Sequence, residues 1–307
     1  MAFTAKDVQA LRERTGVGMM ECKKALTEAE GDMERAVDIL RERGLAAATK
    51  KAGRIAAEGV VYAYVDEATK VGVVLEVNSE SDFVAKNEKF MDFVKVVAGV
   101  IAANDPADVA ALAQMLTPGG VTVEKLLQEM IQVIGENMNI RRFERYEGDV
   151  VAYVHGGGRI GVLVKFEADE AASGSDALVE CGRDVAMQIA ALNPLYLDKS
   201  LVPAEDIEKE KGIRMIQIQS DPKMASKPEA IIAKMLEGHV VKFCKENCLM
   251  QQEFVKNGDL TVEQYVAEMA KKAGGAMRVV SFVRFEKGEG LQKREDNFAE
   301  EVASMVR

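Results

Sequence analysis

The sequence predicts an α+β protein: an N-terminal three-helix module, a duplicated core of antiparallel sheet plus helix, a projecting antiparallel helical hairpin and a C-terminal helix. Three observations carry this expectation. Glu58-Gly-Val-Val-Tyr-Ala-Tyr-Val65 recurs as Glu147-Gly-Asp-Val-Val-Ala-Tyr-Val154, and at the same offset Val71-Gly-Val-Val-Leu75 falls on Ile160-Gly-Val-Leu-Val164 without a gap. Each copy reads as strand, turn, strand, followed by a helical pattern, and a hairpin of this size needs a helix over its apolar face. In the first copy Phe90, Val94, Val97 and Ile101 supply that face at helical spacing. The first fifty residues, by contrast, are punctuated by caps and glycines at short intervals, the pattern of small helices.

In chain order, Thr4-Ala-Lys-Asp7 is a capping box with a shortened acid, and Val8 and Leu11 follow on one face. The first helix ends at Thr15-Gly16, and Val17-Gly-Met-Met20 reads as a tight apolar turn. Glu21 to Ala29 makes a second helix, Gly31 stops it, and Asp32 caps a third that carries Met33, Ala36, Val37 and Leu40 and ends at Gly44. This unit resembles the ubiquitin-associated three-helix fold. Ala46 to Ala57, rich in Ala, Lys and Gly, reads as a linker. Val71 to Val77 is a β-rich apolar run, a buried strand. Pro106 to Ile140, between the copies, reads as helical, and the helix of the second copy spans roughly Ser175 to Leu192. Pro203 to Gln219 and Lys227 to Glu246 form the helical hairpin, joined at Ser220-Asp-Pro222, with Ile232, Leu236, Val240 and Phe243 as its apolar stripe. Met277 to Glu286 returns as a strand and Asp296 to Val302 forms the last helix. The expected divisions are 1–50, a linker 51–57, a first core subdomain 58–142, a second built from 143–202 and 247–290, the hairpin 203–246 and a C-terminal module 291–307.

Composition narrows the function. The 307 residues are 48% hydrophobic and 29% charged, an ordinary globular balance, and the formal net charge is -10. So acidic a chain is poorly suited to neutralising a phosphate backbone, which argues against direct nucleic-acid binding. No apolar run approaches the roughly 18–20 residues of a membrane span, and the N-terminus has no h-region, so a cytoplasmic location is expected. The cysteines are Cys22, Cys181, Cys244 and Cys248; only the last two are close, with no second pair or histidine at zinc-ligand spacing, and they read as buried or helix-face thiols. The histidines are His155 and His239, far apart in sequence, so a metal or acid–base site would have to be built almost wholly from carboxylates; no metal or cofactor is expected.

Two motifs suggest catalysis and fail on context. His155-Gly-Gly-Gly-Arg-Ile-Gly161 contains G-x-G-x-x-G and the HGGG of some esterases. A dinucleotide fingerprint needs a helix N-terminus after it, because helix amides hold the pyrophosphate; here a strand follows, and the gapless repeat makes the glycines a hairpin turn. The esterase reading needs a G-x-S-x-G elbow, and the sequence has none; nor does it contain G-x-x-x-x-G-K-[ST]. The chain is therefore expected to bind another protein rather than to catalyse. The competing classes are a small-molecule enzyme using the Gly156–Gly161 turn, which would turn over substrate alone, and an adaptor built on residues 1–50, which their deletion would abolish.

The stretch on which this expectation centres is Asn78 to Asn87, where Asp82 and Phe83 sit side by side between a strand and a helix. On local chemistry the pair is either a minor core anchor beside a helix cap or an exposed element. Met19-Met20 is similarly open between core packing and an adaptable partner surface. Thr15-Gly-Val-Gly-Met-Met-Glu-Cys-Lys-Lys-Ala-Leu26, Ser81-Asp-Phe-Val-Ala-Lys-Asn87, Ile134-Gly-Glu-Asn137 with Ile140-Arg-Arg142, and His155-Gly-Gly-Gly-Arg-Ile-Gly161, in that order and running to Phe285-Glu-Lys-Gly-Glu-Gly290, resemble the bacterial-type elongation factor Ts family over essentially the whole chain. That resemblance implies a non-enzymatic guanine-nucleotide exchange factor whose partner is the GTPase elongation factor Tu. It implies that Asp82 and Phe83 intrude near the partner's magnesium and phosphate site, with Ser81 and Val84 flanking them. It further implies partner contacts at Ser81, Val84, Met19, Met20, Lys23, Ile134, Gly135 and His155, and peripheral ones from the hairpin and the last helix. The family often has Thr at the position of Ser81; the hydroxyl is retained.

Overall fold

A computed structural model describes residues 3–292. The C-terminal helix expected at Asp296–Val302 lies outside the described residues. The N-terminal module is α1 (Ala5–Thr15), α2 (Met19–Glu28) and α3 (Met33–Lys51). The Thr4–Asp7 capping box forms as the sequence requires, and Asp32 accepts the Arg35 N–H at 3.0 Å to start α3. Two local expectations are corrected. Met19 and Met20 open α2 rather than forming a turn, because Gly18, extended at φ -60 and ψ 145, is the residue before the helix and its carbonyl accepts from Glu21 and Cys22. Nor does Gly44 end α3: a Cβ there would lie 2.6 Å from Gln132 Oε1, so the glycine serves a close helix crossing, and the good helix formers beyond it carry α3 on to Lys51.

The core follows as β1 (Glu58–Asp66), β2 (Val71–Ser79), α4 (Glu88–Asn104), α5 (Val109–Gln114), α6 (Val123–Ile134), β3 (Met138–Glu147), β4 (Asp149–His155), β5 (Ile160–Ala168) and α7 (Asp176–Leu192). The hairpin is α8 (Ala204–Ser220), a single turn α9 (Pro222–Ala225) capped by Asp221, and α10 (Glu229–Asn247). The chain then returns through β6 (Glu253–Phe254), β7 (Asn257–Thr261), α11 (Val262–Ala273) and β8 (Met277–Glu286). The segment expected to be helical to Ile140 instead ends at Gly135, whose left-handed backbone (φ +88) caps α6 and frees Met138 onward to pair with β2. β3 thus runs past residue 142, the expected division, as an integral strand of the first sheet.

Among the described residues two three-stranded antiparallel sheets form the core, in the orders β1-β2-β3 and β4-β5-β8, and β6 and β7 pair as a separate two-stranded one. The duplication is more extensive than the hairpin motif. α4 and α7 are both 17 residues long, α6 and α11 both 12, and β3 and β8 both 10. The bulge in the first sheet, between Glu76 and Val77, recurs in the second between Lys165 and Phe166. Outer faces are covered by helices: Phe90, Val94, Val97 and Ile101 are fully buried under the first sheet, and Leu178, Cys181, Val185 and Ile189 lie under the second.

The inner faces meet through equivalent residues of the two copies, Val61 with Val150 and Val74 with Leu163. The sheets approach so closely that a Cβ on Gly72 would sit 2.5 Å from Val150 Cγ1, and one on Gly161 would sit 2.5 Å from Val61 Cγ1. A buried carboxylate ties the far end of the chain to this sandwich. Glu76 accepts from Asn78 Nδ2 (3.0 Å), Arg141 (3.0 Å), Arg142 Nε (2.7 Å) and the Gly288 N–H (2.8 Å), while the Arg142 guanidinium lies 4.2 Å over the Phe285 ring. Burial pushes the Glu76 carboxyl up, but the Gly288 N–H, Asn78 and Arg142 together outweigh it and hold the group below the ordinary carboxylate range.

Because Glu76 titrates below its ordinary 4.5 in the folded chain, its contribution is complete above that value and is lost as pH falls through the depressed one. Glu76→Gln is therefore expected to lower the unfolding free energy by about 3–5 kcal/mol at neutral pH, and to flatten its decline from about pH 5 downward, measured by urea unfolding across a pH series. Gly161→Ala overpacks the sheet interface and is expected to cost about 1–3 kcal/mol in the same assay.

Candidate functional site

β2 is buried along its whole length and ends at Ser79. The chain leaves it through Glu80 and Ser81, makes one 3-10 turn at Val84–Lys86 and enters α4. Asn87 caps that helix, accepting from Lys89 N at 3.0 Å and Phe90 N at 3.4 Å. The cap is therefore neither Ser81 nor Asp82. Val84 is buried in the first core and anchors the corner from beneath, whereas its neighbour Phe83 is 78% exposed and Asp82 is exposed beside it. Burying a phenyl ring is worth about 1.5–3 kcal/mol, a gain the chain leaves unrealised within itself. Between core anchor and exposed element, the structure decides for the exposed element.

The corner is braced from a loop distant in sequence. Glu136, immediately after Gly135, accepts from the Ser81 N–H (2.8 Å) and Ser81 Oγ (2.6 Å). Glu80 accepts the Asn137 N–H at 2.5 Å, and the Ser79 hydroxyl donates to the Ser81 carbonyl at 2.9 Å. Ile134 is half-buried against the first core while Gly135 is exposed, so this segment lies beside Asp82-Phe83. The N-terminal module meets the same place. A Cβ at Gly16 would lie 3.1 Å from Lys89 Nζ at the start of α4 and 3.6 Å from Val133 Cγ2 at the end of α6. Met19 and Met20, 41% and 65% exposed, follow this junction on the first turn of α2, with Lys23 exposed one turn on.

His155 is exposed at the β4–β5 turn, where the Tyr153 hydroxyl lies 3.0 Å from its Nδ1. The turn is pinned to the first sheet: the Val61 N–H donates to the Gly158 carbonyl at 2.8 Å, and Gly158 (φ +94) leaves no room for a Cβ against Val60. Between this turn and the residues just after Phe83 runs an open groove of about 490 Å³, lined by Tyr62, Lys86, Glu88, Val154 and Gly158 among others. The structure thus braces the Asp82-Phe83 corner from the loop that follows Ile134-Gly135, sets the α1–α2 junction just ahead of Met19 and Met20 beside Lys89 and Val133, and places His155 on the turn across the groove.

All four cysteines are buried, and burial pushes the Cys181 thiol up to about 12. His239 pairs with Glu210 at 3.3 Å within the hairpin. Among the described residues no group of His, Cys, Asp and Glu is arranged to hold a metal ion, and no helix is long and apolar enough to cross a membrane.

Sequence reasoning missed Glu80, Glu136 and Asn137 as supports of the corner. The signal lay in the duplication: in the second copy the Asp169 carboxylate accepts the Ala276 N–H at 2.7 Å, the counterpart of Glu80 with Asn137. Extending the repeat to the third strand pairs Asn137 with Ala276, but it sets Glu136 against Gly275, so the Glu136 brace has no counterpart in the second copy.

Residues 80–289 match the family described as Elongation factor TS. Over 306 residues the chain is 50% identical to "Elongation factor Ts" of Clostridium perfringens (strain SM101 / Type A), covering 99% of each chain. It is 51% identical over 304 residues to the protein of the same name from Clostridium novyi (strain NT), covering 97% of each, and 48% identical over 307 residues to that of Clostridium botulinum (strain Eklund 17B / Type B), covering 99% of each. On this agreement from end to end, the chain belongs to the elongation factor Ts family of translation elongation factors.

Proposed function

We propose that this chain expels GDP from the GTPase elongation factor Tu by inserting Asp82 and Phe83 beside the partner's magnesium and phosphate site. The observation that carries the reading is the exposed ring of Phe83 on a braced strand-to-helix corner. A nucleoside diphosphate is held largely through its phosphates, by loop amides and Mg²⁺. A ring driven in beside that cradle shifts it, and breaking one metal–oxygen bond or one amide hydrogen bond costs the nucleotide on the order of 1–3 kcal/mol. Each 1.4 kcal/mol or so is tenfold in rate, so two or three such breaks account for a large acceleration. Linkage makes the effect reciprocal: nucleotide weakens the factor's hold by the same amount, which lets GTP displace the factor after GDP has left. No bond in the nucleotide is broken, so the chain acts by binding and is not an enzyme.

Met19, Met20 and Lys23 contact the GTPase from the N-terminal module, and Ile134 and Gly135 extend that contact next to the corner. Ser81 and Val84 hold the wedge, one by its hydrogen bonds and the other by its burial. His155 adds a contact from the second sheet across the groove. The hairpin 203–246 and the module 291–307 supply peripheral contacts, and neither nucleic acid nor membrane is needed.

Release of a fluorescent GDP analogue from elongation factor Tu tests this. Phe83→Ala is expected to cut the stimulated release rate at least tenfold, about 1.4 kcal/mol, while leaving the melting temperature unchanged, since the ring is outside the core. Equal stimulation by both proteins would remove the wedge. His155→Ala is expected to raise the factor concentration for half-maximal release severalfold and to leave the maximal rate intact.

A further inference from the structure

We infer that Glu136 is a positioning residue for exchange: its carboxylate fixes the Asp82-Phe83 corner in the orientation that enters the partner. This deepens the proposed exchange function and rests on it. Ser79 is the last residue of β2 in register with β1, opposite Glu58, so beyond it the ladder no longer guides the chain. The next fixed point in the main chain is Val84, buried in the core. Between them Ser81 is held at both its N–H and its hydroxyl by the two oxygens of one carboxylate, at 2.8 Å and 2.6 Å. Charge-assisted bonds of this kind are about twice as strong as neutral ones, and two from one residue fix direction as well as distance.

The carboxylate is itself held in place. Gly135, left-handed at φ +88, donates to the Ile131 carbonyl at 2.9 Å and ends α6, so Glu136 leaves a rigid helix terminus. The following residue, Asn137, is buried, donates its N–H to Glu80 and its side-chain amide to the Arg54 carbonyl at 2.8 Å. Glu80 in turn pairs with Arg54 at 3.3 Å. The two braces cross: Glu136 reaches Ser81, and Glu80 reaches back to Asn137. A wedge delivers its binding free energy only if it does not fold back on contact, and a site held by loops alone lacks that stiffness. The short Gly135–Asn137 loop therefore acts through the corner as well as beside it.

Three measurements test this. Native-state hydrogen exchange of the free chain is expected to show the Ser81 amide protected, with at least tenfold faster exchange in Glu136→Ala; an unprotected amide, or one indifferent to the substitution, overturns the brace without any reference to the partner. In GDP release from elongation factor Tu, Glu136→Ala is expected to lower the maximal rate about five- to tenfold with a less than twofold change in the half-saturating concentration. Glu136→Gln, which can accept from the Ser81 N–H and donate to its hydroxyl, is expected to restore most of that rate. In a chain already carrying Asp82→Ala and Phe83→Ala, Glu136→Ala is expected to cost less than twofold further, because its effect passes through the corner. A full-size loss in that background, or an undiminished maximal rate for Glu136→Ala alone, overturns the inference. Should the unaltered chain fail to release GDP while its Ser81 amide remains protected, the exchange function falls and the role in exchange falls with it.

Discussion

The close approach of the two sheets, made possible by Gly72 and Gly161, is the constraint on which the rest of the molecule depends. Each glycine receives a valine from the other copy, Val150 and Val61, and those valines are themselves equivalent in the duplication. The interface therefore has an approximate two-fold character, and its geometry is set by close-packed side chains rather than by a flexible connection. Because β1 and β4 are both part of this contact, the turn after β4 is held against the first sheet. That puts His155 on the other side of a groove from the residues that follow Phe83. Without the sandwich, the features with which the family resemblance is concerned would have no fixed relation to one another.

A second constraint closes the sandwich. Glu76, central in β2, gathers two guanidinium groups and a backbone N–H from beyond β8, so the end of the second sheet is tied to the middle of the first. A carboxylate with several donors is tolerable in the interior because its desolvation is offset only by that full set of partners. The Asp82-Phe83 corner is the opposite case. At Glu76 a charge is buried and held by several donors; at the corner an apolar ring is left 78% exposed. One arrangement stabilises the fold; the other adds nothing to it and is what the proposed partner contact would use.

The exchange function proposed above needs both properties in adjacent places. Rigid support must run up to the intruding residues, yet those residues must contribute nothing to the stability of the free protein, or they would not be available to a partner. Val84 and Phe83 divide these tasks between neighbouring positions, one inside and one outside. The bracing carboxylates Glu80 and Glu136 supply the stiffness by hydrogen bonds at the surface, leaving the core packing of the first subdomain untouched.

Much of this was legible in the sequence. The repeat set both hairpins, periodicity set the helices over them, and the ordered motifs pointed to the family, whereas the recurring bulge in the central strands is a finding of the structure. Capping residues such as Thr4 and Asp32 located helix starts because their chemistry is local. What the sequence could not settle was every feature whose cause lies far along the chain. Gly44 read as a helix stop because its true partner, Gln132, is distant in sequence, and Met138 to Ile140 read as helix because their pairing with Ser79 to Val77 is a tertiary matter. The choice for Phe83 between core and solvent was equally undecidable locally: it depended on Val84 filling the core beneath and on Glu136 holding Ser81 from a loop brought near only by folding. Local chemistry fixes where capped helices begin; where some of them end, which residues stand outside them, and how firmly, is decided by what packs against them.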